Sequence, residues 1–230
     1  VLAMVKDKNT KPHDGLADVE EALTKTEQFL EKNLKPLTYG VVGVIVVVLG
    51  FLAIQRWVVS PKGVEAQEEL YMAQEHFNKD SFNLALNGDG NSLGFLDIMD
   101  SYGSTKAGKL SRYYAGISYL HLGDYQNAIS YLEKFKTDDL LLEPLKHSAI
   151  GDAYVELGDM NKAISAYKKA LSANTNDFTT PLVNYKLGLV YEELKQTSDA
   201  LKCYQEVKDK YPSSNEAMNI DKAIARVSQL

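Results

Sequence analysis

Apolar residues are distributed in two different ways along this chain. From Pro36 to Gln55, between Lys35 and Arg56, no charged residue occurs, and the stretch LTYGVVGVIVVVLGFLAI (Leu37 to Ile54) is apolar on every face. As a helix it rises ~27 Å at ~1.5 Å per residue, close to the ~30 Å of hydrocarbon that a single helix must cross. Beyond it, apolar residues recur at helical spacing among polar ones, which predicts amphipathic helices packed face to face. Val64–Asn78 and Leu93–Tyr102 form the first such stretches, predicted to be an irregular pair joined by the turn-rich loop ALNGDGNSLG. Before the apolar run, Asp14 to Asn33 places Leu16, Val19, Leu23 and Leu30 at near-heptad spacing with Phe29 beside them. That pattern predicts a short juxtamembrane helix, or a docking helix for a cytoplasmic or membrane partner. Val1 to His13 is a polar, lysine-containing tail expected to be mobile, with Met4 as an alternative start.

The apolar run is expected to be an uncleaved signal-anchor. A cleaved signal peptide has a short basic lead and a shorter apolar stretch, whereas here a long segment of mixed charge precedes the run. Acylation after the run is excluded, because the one cysteine, Cys203, lies far downstream. Lys25, Lys32 and Lys35 on one side outnumber Arg56 and Lys62 on the other, which places the N-terminus in the cytoplasm and the large C-terminal part outside. Tyr39 and Trp57 fall near the two ends, where amphipathic rings favour the headgroup layer.

Three stretches of about 34 residues align with one another: Lys109–Leu142, Pro144–Asp177 and Pro181–Ser214. Gly116, Gly151 and Gly188 each precede a tyrosine by three residues, at Tyr119, Tyr154 and Tyr191. A small residue there lets paired helices approach. Ala128, Ala163 and Ala200 take the small position on each second helix, with Leu132, Tyr167 and Tyr204 one turn on, on the same face. Gly123-Asp124 and Gly158-Asp159 supply a left-handed stop and the next start. The third stretch has Lys195-Gln196-Thr197 instead, which predicts a looser turn. Pro212 ends the third pair, and Ser213–Leu230 reads as a Ser-capped helix that closes the stack. These stretches resemble tetratricopeptide repeats. The expected fold is therefore all-α: one transmembrane helix, then an α-solenoid of tetratricopeptide-type helix pairs with a C-terminal capping helix. The expected divisions are a tail at 1–36, an anchor at 37–59, a divergent first pair at 60–108, three repeats at 109–214 and a cap at 215–230.

The net charge is −6, and the excess of acid lies beyond the apolar run, so nucleic acid and anionic lipid surfaces are not expected partners. A single cysteine forms no internal disulfide, and the C-terminal part must hold together by packing. Catalytic chemistry does not assemble. His13, His76, His121 and His147 are scattered without metal-ligand spacing, and Cys203 has no matched histidine. Asp138-Asp139 and Glu192-Glu193 read as solvated faces. Asn87, Asp89 and Asn91 alternate as calcium ligands do, but Ser92 stands where a glycine is needed and Ile98 where a glutamate is needed. No enzyme activity, cofactor or metal is expected.

Helix-pair solenoids use the concave side, lined by the first helix of each pair. By register that lining comprises Tyr113, Ile117, Leu120 and His121, then Ser148, Asp152, Val155 and Glu156, then Tyr185, Leu189, Glu192 and Glu193. The set is aromatic, aliphatic and acidic, which favours an extended apolar or basic segment, although the tyrosines also suit packing. The carboxylate clamp of chaperone-tail-binding repeats is not matched, because Tyr113, Ile117 and Leu182 occupy its positions. In the apolar run, Gly43 and Gly50 share a face and suit a lateral helix interface.

The order of tail, anchor and repeats, with SPKGVEAQEELYMAQ (Ser60 to Gln74) directly after the anchor and GSTKAGKLSRYYAGISYL (Gly103 to Leu120) further on, resembles the YfgM-like ancillary subunits of the bacterial Sec translocon. The resemblance implies a single-pass inner-membrane protein with a periplasmic domain. It also implies partners among translocon subunits, a prolyl-isomerase-like periplasmic chaperone and exported polypeptides. The expected function is a membrane-anchored adaptor that hands exported chains to periplasmic chaperones. The alternative is a scaffold for another envelope machine, such as outer-membrane assembly, secretion or cell-wall synthesis; an enzyme or sensor is the remote third reading.

Overall fold

The computed structural model describes residues 15–54, 56 and 60–229, and these divide after Trp57 into two units. Regular structure among the described residues is helical throughout, with no strand. Met4, His13 and Trp57, and the side chains of Leu16, Val19, Leu23, Phe29 and Leu30, lie outside what is described.

The first unit holds α1, Gly15–Ile54. The helix runs unbroken through Pro36, so no gap separates the predicted juxtamembrane helix from the apolar run. Proline deletes one backbone donor inside the helix, and near it the Thr38 hydroxyl donates to the Leu34 carbonyl at 2.6 Å. Lys32–Ile54 has a mean hydropathy of 2.6, and none of it is buried. Val44, Val46, Val47 and Phe51 all stand more than half exposed, an arrangement that water penalises and hydrocarbon does not. This helix is apolar enough and long enough to span a membrane.

The second unit opens with α2 (Ser60–Asn78), α3 (Phe82–Asn87) and α4 (Phe95–Tyr102). Three regular pairs follow: α5 (Lys106–His121) with α6 (Tyr125–Lys134), α7 (Leu142–Glu156) with α8 (Met160–Ala173), and α9 (Thr179–Glu193) with α10 (Thr197–Lys210). A 3₁₀ turn, Glu216–Asn219, leads into α11, Ile220–Val227. Each pair packs on the next, and α5, α7 and α9 also touch in succession, which makes the pairs a solenoid.

One lock recurs in each pair. A Cβ built on Gly151 would lie 2.5 Å from a ring carbon of Tyr167, and one on Gly188 would overlap the Tyr204 ring. On Gly116 it would meet Leu132 Cγ at 2.6 Å. The glycine is a notch, and the large side chain of the second helix fills it.

The turns inside the pairs are alike in all three. In the first two, Gly123 and Gly158 take positive φ, and the Asp124 and Asp159 carboxylates accept from the backbone N–H of Asn127 and Lys162, each at 3.2 Å. The third turn corrects the expectation of a looser connection. Lys195 adopts φ 59°, and its N–H reaches the Glu192 carbonyl at 3.0 Å while that of Gln196 reaches Tyr191 at 2.8 Å. Gly158 and Asp159 make the equivalent bonds to Val155 and Tyr154, each at 2.9 Å. Neighbouring packing therefore imposes the same backbone on a residue that disfavours it.

The region before the repeats departs from the prediction. The stretch 85–94, expected to be loop throughout, begins as the end of α3 and buries Ala85 and Leu86. The rest is organised by Asp89, whose carboxylate accepts from the N–H of Asn91 (2.9 Å) and Ser92 (2.8 Å) and from the Ser92 hydroxyl (3.0 Å). Those bonds bring its pKa down to about 2. At the other end, Ile220, Ala223 and Val227 of α11 close the core that contains Tyr204 and Val207. The Ala217 N–H bonds to the hydroxyl of Ser214 at 3.2 Å.

Candidate functional site: the concave face

The predicted groove residues do not form one continuous surface. Tyr113, Ile117 and Leu120 of α5 pack against the core of Ile129, Leu132, Ala149, Ile150 and Ala153, so they join the first pair to the second. Tyr113 lies 5.5 Å from Phe135, ring to ring, and burial pushes its pKa up to about 12. His121 stacks on Phe82 at 4.4 Å with planes 3° apart, and so belongs to the aromatic group beside α3. Tyr185 sits 5.8 Å from Tyr204, half-buried. Ser148 is buried.

Three of the acidic members, Asp152, Glu156 and Glu192, hold internal partners. Asp152 accepts from the Tyr167 hydroxyl at 2.7 Å and from Lys186 Nζ at 2.6 Å. Glu192 accepts from the Tyr204 hydroxyl at 3.0 Å and is gripped by Arg226 of α11, Nε at 2.5 Å and the terminal nitrogen at 2.9 Å. Glu156, exposed, accepts from the Tyr125 hydroxyl at 3.2 Å. The Arg226 guanidinium and the Tyr204 hydroxyl hold the Glu192 carboxyl below its ordinary range, despite partial burial. Burial, reinforced by Asp152 or Glu192, raises the phenols of Tyr167 and Tyr204. Two of the acids read from the sequence, Asp152 and Glu192, are thus neutralised from within, which weakens the case for a basic ligand at those positions.

What stays open is smaller and further along. Val155, Leu189, Glu192 and Glu193 come together with Met160, Val190, Lys195 and Arg226 around a cavity of about 520 Å³. Leu189 remains 40% exposed within it. Sequence reading missed Arg226, because nothing in the register assigns a cap-helix residue to the groove. It also missed Lys186 and the two tyrosine hydroxyls. A signal existed for the hydroxyls: the second-helix notch filler is Tyr where a first-helix acid shares its pair, and Leu in the pair that has none.

On α1, a Cβ at Gly43 or Gly50 meets nothing within 4 Å, so both positions lie open to a neighbour. Cys203 is buried, and its thiol is pushed up to about 11, mainly by burial and then by Asp199, which suppresses its nucleophilicity. Among the described residues, no group of three or more His, Cys, Asp or Glu side chains converges as metal ligands do.

Comparison with known proteins agrees with this geometry. Two family models match: one described as TPR repeat, over residues 151–195, and one described as tetratricopeptide repeat, over 110–139 and 183–214. Among solved structures, the crystal structure of MamA protein is similar at 18% identity and a TM-score of 0.56, covering 71% of this chain and 81% of that one. A Podosopora anserina kinesin light chain with nearly identical TPR-like repeats is similar at 12% identity and a TM-score of 0.55, covering 72% and 85%. At such identities the likeness carries the fold alone. No curated protein matches the chain.

Proposed function

We propose that this tetratricopeptide-repeat chain is a membrane-anchored adaptor of the bacterial inner membrane, associated with the Sec translocon and passing exported polypeptides to periplasmic chaperones. Tetratricopeptide repeats are protein-interaction scaffolds, typically without catalysis. The finer reading rests chiefly on one observation: among the described residues, one apolar helix with no buried residue in its span precedes the helical solenoid in the chain. Such a helix, with Gly43 and Gly50 unobstructed, suits lateral association with other membrane helices. The apolar rim of Val155, Met160 and Leu189 suits a short extended apolar segment of a client or a prolyl-isomerase-like chaperone. The N-terminus is assigned to the cytoplasm and the solenoid to the periplasm on the lysine distribution around the span.

Photo-crosslinking in intact cells tests this reading, with probes at Tyr39 to Ile54 and at Val155, Leu189 and Tyr113. Adducts of the anchor with translocon subunits, and of Val155 or Leu189 with a chaperone or exported chains, are expected, with fewer from Tyr113 because it is half-buried against the first seam. Adducts restricted to another envelope complex would replace the adaptor with a scaffold for that machine.

A further inference from the structure

A second cavity of about 520 Å³ lies between α6, α7 and α8, and differs in kind from the apolar one. Lys136, Lys146, His147, Lys162 and Lys169 line it, against only Glu133 and Glu143 among acids. This is a concentration of positive charge on a chain whose net charge is −6.

The internal pairing around the cavity leaves Lys136 and Lys169 over against one acid, Glu133. Lys146 is only 5% exposed, and its Nζ sits 2.6 Å from both carboxylate oxygens of Glu143. Glu143 also lies 3.2 Å from His147 Nε2, so its capacity is used. Lys162 pairs with Asp159 at 2.8 Å. Asp139, in the nearby connection, spends one carboxylate oxygen on the N–H groups of Leu141 and Leu142, at 2.8 and 2.9 Å. Among the described residues, Lys136 and Lys169 have no ion-pair partner. Burial first, and then the charges of Lys146 and Lys169, hold the pKa of the His147 imidazole below the ordinary range even though Glu143 pulls the other way.

We propose that this cavity binds a polyvalent oxyanion, a phosphate ester or small polycarboxylate, held between Lys136 and Lys169. The volume falls within the ~300–1,000 Å³ of small-ligand sites. A ligand with two or more charges suits the cavity because two unpaired cations line it from different repeats: Lys136 follows α6 and Lys169 lies on α8. Bound to both, it would tie the first repeat to the second. Charge-assisted hydrogen bonds of this kind are the strong ones. The site is separate from the concave face, and the adaptor reading neither requires nor supplies it.

The test is calorimetric titration of the full chain in uncharged detergent with inorganic phosphate and with citrate, ionic strength being held constant with sodium chloride. Saturable binding is expected, accompanied by movement of the His147 imidazole resonance. The exposed double substitution Lys136→Gln with Lys169→Gln is expected to raise Kd about tenfold or more. The α10 pair Lys202→Gln with Lys210→Gln, equal in charge change, is expected to leave Kd unaltered. Absence of saturable binding by either anion, or equal losses from the two double variants, would overturn the site. So would binding of a glutamate-rich peptide in place of both small anions, since that would make the cavity a docking point for an acidic protein segment.

Discussion

In the first helix pair Leu132 fills the notch beside Gly116; in the second and third, Tyr167 and Tyr204 fill those beside Gly151 and Gly188 and carry hydroxyls on to Asp152 and Glu192. The backbone plan is the same in all three, and the inner faces are not. The first pair finishes as an apolar seam, with Tyr113, Ile117 and Leu120 packed toward the second pair. The later pairs finish as fixed polar networks that reach Lys186 and, through α11, Arg226. One position in the repeat thus does two jobs: it fixes helix spacing through its bulk and sets the chemistry of the concave surface through its last atom.

That difference predicts unequal responses to the same substitution. At Gly151 and Gly188 an added methyl meets a rigid ring that is also hydrogen-bonded at its far end, so Gly151→Ala and Gly188→Ala should each cost about 2–3 kcal/mol. Gly116→Ala meets Leu132, buried as well but with no hydrogen bond anchoring its far end, and should cost about 1 kcal/mol. Denaturant midpoints of the three variants measure the order. Equal losses would mean that the hydroxyl bonds do not stiffen the rings.

Removing the polar end alone should have smaller effects. Tyr204→Phe keeps the notch filled and deprives Glu192 of one donor, for about 1 kcal/mol. Arg226→Ala should cost ~0.5–1 kcal/mol, because the guanidinium is half exposed and solvent screens the pair. Its pH signature is more telling than its size. The folded pKa of Glu192 is depressed, so the stabilisation it brings is complete above the ordinary glutamate pKa and is lost as pH falls through the depressed folded value. Thermal melts down an acid series should therefore fall less steeply for Arg226→Ala than for the parent chain. The first pair has no carboxylate in this network, and Leu132→Met should leave the acid limb unchanged.

Much of this was legible in the sequence, for a physical reason. The glycine, alanine and large-residue positions recur because every pair must solve the same helix-spacing problem, so Gly116, Gly151 and Gly188 declare the fold in one dimension. The apolar run of α1 is legible for a similar reason, since a helix apolar on every face is recognised without knowing its partners. The concave face was read less well. Register assigns residues to a face but not to partners: it placed Asp152 and Glu192 correctly on the first helices, yet their neutralisation depends on Lys186 from the next pair and Arg226 from the cap, contacts 34 residues away. Register alone assigns His121 to the groove, but its ring stacks on Phe82 of α3, an element outside the repeat whose position no periodicity encodes.

The third turn gives the finest test of how far the repeats are one backbone with three sequences. Gly123 and Gly158 occupy the left-handed position without strain, while Lys195 occupies it with a Cβ that crowds the following carbonyl. The bonds closing the turn, from Lys195 and Gln196 to Glu192 and Tyr191, match those at Gly158 and Asp159 to within 0.1 Å, so the surrounding helices and not the local residue hold the geometry. Lys195→Gly should then relieve strain at no loss of hydrogen bonds, offset in part by the greater freedom of glycine in the unfolded chain. A net gain of about 0.5 kcal/mol is expected, read as a higher denaturant midpoint with an unchanged slope. Its mirror, Gly158→Lys, should cost about 1 kcal/mol, because a lysine there takes on the strain that Lys195 already bears. If both substitutions were neutral, the left-handed position would carry no strain, and the likeness of the three turns would reflect local preference instead of imposed packing.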